Sequence, residues 1–463
     1  MRKPFSLFAA GVLILSSMAL AGPVSAHHDP AEVAIAHLAG ETHIPTGSPG
    51  AGSHSKNMHF QSTIGPTGFT NSDLAFWGRY AYAGNYGGFR VVNISDSENP
   101  VVVANVSCFG PQNDISVYGG ILIVSIDTPL AGSACGSPAA SPITLETAWE
   151  GIRIFDVSNP ASPQYMTAVY TKCGSHTNTL VPDLDNDRLL VYVASYPLRA
   201  GPDCGPHDDP TDTHNPLHEQ ISIVQIPLDN PAAASLLAEP AIDVPTWDIH
   251  DQIGPNPAFN AMRGCHDLQA NLGLGLMAAA CSGVGQLWDI SDPANPGTTN
   301  PIWEVDRPEV DFYHSALFSE QGDTVIFGDE IIAGTCSTLA DGDGQMWFHN
   351  RSNGALVSSF QIPRDQGGAY CSSHLFNNIP GVKGDFLVAA WYAGGTIVVD
   401  YTNRASPKEI GYYDPGGGSA WSSYWYNNFI YSNDIPLGFN IYHFSDPARA
   451  GADRLPYLNP QVQ

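Results

Sequence analysis

Sixteen histidines stand in this 463-residue chain beside only 18 Lys and Arg. Six of them fall between His27 and His59. Four others, His176, His266, His314 and His374, each stand just ahead of a short β-rich run. Neutral imidazole is a common ligand of Fe, Cu, Zn and Mn, and several converging on one point would hold a single such ion. Without a metal, clustered imidazoles lose hydration and repel one another when protonated, which is costly. The alternative for any one of them is a strand cap held by local hydrogen bonds. Convergence therefore depends on the elements that carry the four residues.

Those elements repeat. A short β-rich run, a polar residue and an Asn/Asp-Pro turn recur at Gly88-FRVV-Asn93-ISDSENP, Gly151-IRIF-Asp156-VSNPASP, Gln220-ISIV-Gln225-IPLDNP and Val284-GQLW-Asp289-ISDPANP. Weaker copies end near His349, Asp400 and His443. Each copy follows a hairpin signal, and helical periodicity is almost absent. The 46 glycines and 37 prolines also speak against long helices. Seven units of four short strands predict an all-β chain folded as a seven-bladed β-propeller. Each blade of a propeller begins with its innermost strand, at one mouth of the central channel. With the blades aligned on their hairpins, that position holds Ser72 or Asp73, Asn113 or Asp114, His176, His266, His314, His374, and Ala420 or Trp421. Radial repetition turns equivalent positions into a ring, so four imidazoles are expected at one mouth.

The repeats resemble LVIVD repeats. The segments around His176 (Cys-Gly-Ser-His-Thr-Asn-Thr), His266 (Gly-Cys-His-Asp-Leu-Gln) and Trp391 (Val-Ala-Ala-Trp-Tyr-Ala-Gly-Gly) are similar to those of secreted bacterial LVIVD-repeat proteins. The resemblance spans roughly residues 66 to 450 and implies a propeller; it brings little chemistry with it. In geometry alone, the expected ring is similar to the four-histidine iron centre of carotenoid-cleaving oxygenases and to copper-dependent selenium-binding propellers.

Metal-bound imidazoles usually donate their second N–H to a fixed acceptor. Asp267, Asp311 and Asp329 are the candidates at the same mouth, and Glu330 is the first choice as general base or orienter. Tyr86, Trp391 and Tyr392 close second strands and either wall an apolar pocket or pack between blades. The eight cysteines fall on the same frame. Cys108, Cys173 and Cys265 precede innermost strands, while Cys135, Cys204 and Cys281 follow second strands, so 108–135, 173–204 and 265–281 are expected disulfides. Cys336 and Cys371 would then join blades 5 and 6. A mixed site using the Cys173/His176 and Cys371/His374 pairs is the competing reading.

Residues 1–26 read as an export signal with cleavage after Ala26, 27–57 as a flexible His/Gly/Ser-rich tract, and 58–463 as the propeller. A net charge of −27 excludes a nucleic-acid partner, which needs clustered cations, and disfavours an anionic membrane surface. No segment of the mature chain is apolar over a full membrane span. The function expected is that of an exported metalloprotein acting as an oxidoreductase on a small molecule. A metal-dependent lyase or hydrolase on an extracellular polymer, and a non-catalytic binding propeller, are the alternatives.

Overall fold

The computed structural model describes residues 52–141, 147–196, 201–203, 218–244, 264–330, 344–364 and 372–463. Their strands form seven antiparallel sheets, the blades of a propeller. The innermost strands, in blade order, are Asn71–Trp77, Gln112–Tyr118, Thr177–Asp183, Asp267–Asn271, Tyr313–Phe318, Phe376–Asn378 and Ala420–Tyr426. Each packs beside the next, and the last returns to the first.

The repeated residues have local work to do. In four blades the polar residue that ends the third strand turns its side chain back on the chain: Asn93, Asp156, Asp289 and Asp400 accept from the backbone N–H two residues on, at 2.8–3.0 Å. This Asx turn reverses the chain toward the outermost strand. The glycine that opens the third strand is needed because a carbonyl of the outermost strand lies where a Cβ would go. At Gly88 (φ 143°) a Cβ would meet the Val106 oxygen at 1.9 Å, and at Gly151 (φ 140°) the Val169 oxygen at 2.2 Å. Alternate residues of each strand then enter apolar layers between neighbouring blades. One such layer packs Leu190, Tyr192 and Ile223 of blade 3 against Leu268, Met277 and Trp288 of blade 4. Burying each such side chain contributes about 1.5–3 kcal/mol, so the ring is held mainly by the faces between its blades.

Both ends of the described chain close the ring. Met58–Ile64 supplies the outermost strand of blade 7, pairing from Met58↔Phe444 to Ile64↔Phe439. Ser53 and His54, expected within the flexible tract, instead pair with Asp414 and Tyr413 on the edge of blade 6, because that edge strand leaves backbone groups open. At the other end, Tyr457–Leu458 adds to the inside of blade 1. Asn459 bonds both backbone groups of Val117 in blade 2, and Val462 bridges Ala270 in blade 4. Segment 457–463 thus lies across the channel at the mouth where the innermost strands end.

Cys108–Cys135 and Cys265–Cys281 are disulfides, as expected. Cys173 is also disulfide-bonded, with its partner outside the described residues. The expected pairings of Cys204, Cys336 and Cys371 lie outside the described residues. This bonding fits an oxidising compartment. Among the described residues no helix is long and apolar enough to cross a membrane.

Candidate metal centre

The four register histidines do meet. Their rings form a continuous arc from blade 3 to blade 6, with centroid separations of 4.2 Å (His176–His266), 3.7 Å (His266–His314) and 4.4 Å (His314–His374). All four are buried. The strands fix the arc: Thr177 Oγ1 donates to the His266 carbonyl and Ser315 Oγ to the His374 carbonyl, both at 2.7 Å, tying blade 3 to blade 4 and blade 5 to blade 6 at this level. The Cys265–Cys281 disulfide staples the residue before His266 to the end of the second strand.

Their hydrogen bonds separate them into roles. His176 is fully engaged within the protein. Its Nδ1 lies 2.9 Å from Asp127 Oδ2 and its Nε2 lies 2.8 Å from Gln112 Nε2. The carboxylate takes the Nδ1 proton, so Nε2 accepts from the Gln112 amide. His374 Nδ1 bonds the Trp421 carbonyl, which fixes its tautomer and directs the lone pair of Nε2 elsewhere. His266 Nδ1 is buried without a hydrogen-bond partner. Burial and the neighbouring imidazoles of His314, His176 and His374 push the His266 pKa well below its usual value, so the ring is neutral.

Among the described residues one set of donors is tight enough for a metal ion. One ligand atom each of His266, His314 and Glu330 lie within 4.8 Å of one another, and all three residues are buried. Glu330 Oε2 is 3.5 Å from His314 Nε2, and its Oε1 accepts a 2.6 Å hydrogen bond from Tyr392 Oη. Tetrahedral metal bonds of 2.0–2.2 Å place donors about 3.3–3.6 Å apart, so the widest pair of the set would have to close by up to about 1.5 Å to hold an ion. Glu330, expected as a base or orienter, thus stands in the donor set, and His176 and His374 flank it.

The other expected site residues divide. Asp329 spends its carboxylate on backbone, accepting from Asp311 N (3.0 Å), Phe312 N (2.9 Å) and Gly344 N (3.0 Å). It pins the loop before His314 and sets Asp311 there. Asp267 accepts from Leu268 N and belongs to the channel below. The carboxylate that orients an imidazole is Asp127, which was not expected. It sits in the strand Ile121–Leu130, where blade 2 runs unusually long. Tyr392 lines the site, 4.6 Å from the His374 ring, whereas Trp391 faces the core between blades and meets Phe360. Tyr86 is half-buried at the rim, edge-on to Trp421. Tyr196 and Phe312 complete an aromatic wall, each within 5.5 Å of the His266 ring centroid. Gln112 (φ 46°) and Tyr392 (φ 38°) hold left-handed backbone without being glycine, a strain that persists where surrounding structure enforces it, commonly at functional sites.

The LVIVD-repeat family model matches residues 70–107, 147–171 and 381–415, which cover blade 1, the outer half of blade 2 and most of blade 6. The chain carries LVIVD repeats. No curated protein matches it in sequence. Among solved structures, this LVIVD-repeat propeller is similar to the computationally designed Ika8 protein at 10% identity, covering 83% of this chain and 99% of that one, with a TM-score of 0.45. It is also similar to the WD40 propeller domain of Doa1 (11% identity, 85% and 98% covered, TM-score 0.49). A third is the Cps50 (Swd1) propeller domain of Myceliophteria thermophila (10% identity, 82% and 98% covered, TM-score 0.49). None of the three bears on function.

Proposed function

We propose that the LVIVD-repeat propeller is an exported metalloprotein that holds one transition-metal ion at the histidine mouth and acts as a metal-dependent oxidoreductase. The observation that carries the reading is the buried donor set of His266, His314 and Glu330, with His266 Nδ1 lacking any protein partner. An orphaned imidazole nitrogen costs about 1–3 kcal/mol if nothing meets it, and a metal ion is one group that would. Two imidazoles and one carboxylate are the donors of non-haem Fe(II) oxygenases and also suit Zn, so the residues present fit the ion. When bound there, iron or copper would supply one-electron chemistry and Lewis acidity.

The chain's own residues do the rest. Tyr392 Oη holds the Glu330 carboxylate in place at 2.6 Å. The Trp421 carbonyl fixes the tautomer of His374. Tyr196, Phe312, Trp421 and Tyr86 give the mouth an aromatic lining, which suits a small apolar substrate and excludes water. That lining favours a small molecule over a charged polymer.

Elemental analysis of protein purified without an affinity tag tests the reading. Close to one equivalent of iron, copper, zinc or manganese is expected in the wild type, lost in His266→Ala and Glu330→Ala. Absence of metal after growth in supplemented medium overturns it.

A further inference from the structure

Two disulfides are complete among the described residues, and their surroundings differ. Cys265 and Cys281 are both buried, and among the described residues no charged donor reaches either sulfur. Cys108–Cys135 joins the entry to blade 2, just ahead of Gln112, to the loop that follows Leu130. Cys108 is buried, whereas Cys135 is half-buried in that loop, between the exposed residues Ala134 and Gly136.

The Arg153 guanidinium lies between the two arms of this bond. Its Nη1 donates to Cys108 Sγ at 3.3 Å and to the Phe109 carbonyl at 2.7 Å. Its Nε and Nη2 donate to the Ser133 and Ala134 carbonyls at 2.8 and 3.2 Å, on the Cys135 side. Gly110 leaves room for the group, since a Cβ there would stand 3.2 Å from Nη1. Arg153 is buried, yet among the described residues no carboxylate is among the groups that act on it. Burial pushes its pKa down to about 10, which leaves it charged at neutral pH. Carbonyl oxygens meet its protons but not its net charge, and a buried cation without a counter-ion is costly. A thiolate at Cys108 would supply that counter-ion at the contact already made. A neighbouring arginine lowers a thiol's pKa, and in thiol–disulfide exchange the thiol of lower pKa leaves faster.

We propose that Cys108–Cys135 is a thiol-exchange site, at which the thiolate of a low-molecular-weight thiol attacks Cys135 Sγ and Cys108 leaves as a thiolate paired with Arg153. The new S–S bond joins the small thiol to Cys135, the Cys108–Cys135 bond breaks, and its electron pair goes to Cys108. A second small thiol then displaces the first from Cys135, which leaves as a thiolate and takes up a proton. The protein bond gains two electrons, and the two small thiols are oxidised to their disulfide. The site is independent of any metal at the histidine mouth, and exchange unties the entry to blade 2 from the loop beside it.

The test uses the full chain with glutathione as the probe, acid quenching, and mass-spectrometric mapping of each cysteine. Cys108–Cys135 is expected to open at least about tenfold faster than Cys265–Cys281, with glutathione first on Cys135. Equal rates at the two bonds, or glutathione on Cys108, overturn the proposal. A second measurement separates the guanidinium from the exposure of Cys135. Cys135→Ser leaves Cys108 as a free thiol, and its thiolate absorbance is read as a difference against Cys108→Ser/Cys135→Ser. Ionisation at least about tenfold stronger than that of an ordinary thiol of pKa about 8.5 is expected, and Arg153→Met in the same background should abolish the gain. An ordinary or raised Cys108 pKa in Cys135→Ser overturns the proposal, whether or not the Arg153 variant folds.

Discussion

The hydrogen bonds around the four imidazoles make a prediction that a symmetric four-histidine ring does not. His266 and His314 stand in the tight donor set with Glu330, while both nitrogens of His176 are engaged, by Asp127 at 2.9 Å and Gln112 at 2.8 Å. Binding of a structural transition metal by four protein donors releases about 10–16 kcal/mol, or roughly 3–4 kcal/mol per donor. At about 1.4 kcal/mol per tenfold, losing one donor costs a factor of about 10²–10³ in affinity. His266→Ala, His314→Ala and Glu330→Ala are therefore each expected to weaken the metal by that factor. His176→Ala removes no donor and is expected to cost about tenfold or less, the lower end of what outer partners contribute. His374→Ala should fall between, because its Nδ1 is tied to the Trp421 carbonyl while Nε2 faces the arc. Competition against a chromophoric chelator, with circular dichroism to confirm folding, gives all five affinities on one scale. Equal losses at His176 and His266 would refute the division of roles and restore the symmetric ring.

Cys265→Ala/Cys281→Ala opens a link spanning 16 residues, and chain entropy sets the cost at about 3 kcal/mol, measurable as a lower urea midpoint. Burial first, and Lys172 second, push the His218 pKa down to about 3. Because the unfolded chain takes up this proton first, near pH 6.5, stability falls as pH drops below that value, by about 2 kcal/mol at pH 5. His218→Gln should flatten that part of the stability–pH curve, and an unchanged slope would count against it. Deleting residues 52–64 strips the outermost strand from blade 7 and bares the edge of Gly438–Phe444. Aggregates on size-exclusion chromatography and an early melt are expected, since an unpaired edge templates association.

Blade number and the histidine register were legible because both are periodic. The Asx turns need Asn or Asp at a fixed place, which four of the seven repeats supply, and a period seen seven times places every other residue at that level. What the sequence hid is aperiodic. Asp127 reaches His176 only because the second strand of blade 2 runs on to Leu130, and Gln112 arrives through left-handed backbone at φ 46°. Segment 457–463 carries one turn signal, Asn459-Pro460, but no strand alternation, and its pairing with three different blades is set by the channel it fills. The split between Trp391 and Tyr392 was hidden for the same reason: both follow the strand Phe386–Ala390, and left-handed backbone at Tyr392 (φ 38°) turns its side chain to the mouth.

A ring of equivalent positions explains why imidazoles gather at one mouth and does not by itself make a metal site. Seven-fold repetition places side chains at similar depth and spacing, which for four imidazoles gives the observed arc. Completing a three-donor set around two of those imidazoles takes a residue that breaks the repeat. Glu330 follows the second strand of blade 5 and is held by Tyr392 from blade 6, a pairing across one blade boundary. It draws the donor set toward His314 and His266 and leaves His176 to its own partners on blade 2. The chemistry of the mouth therefore rests on its departures from symmetry. Tyr392→Phe tests that point, because it leaves every histidine in register while freeing the carboxylate. If metal affinity survives that change within twofold, Glu330 is not held for binding and the arc alone carries the site.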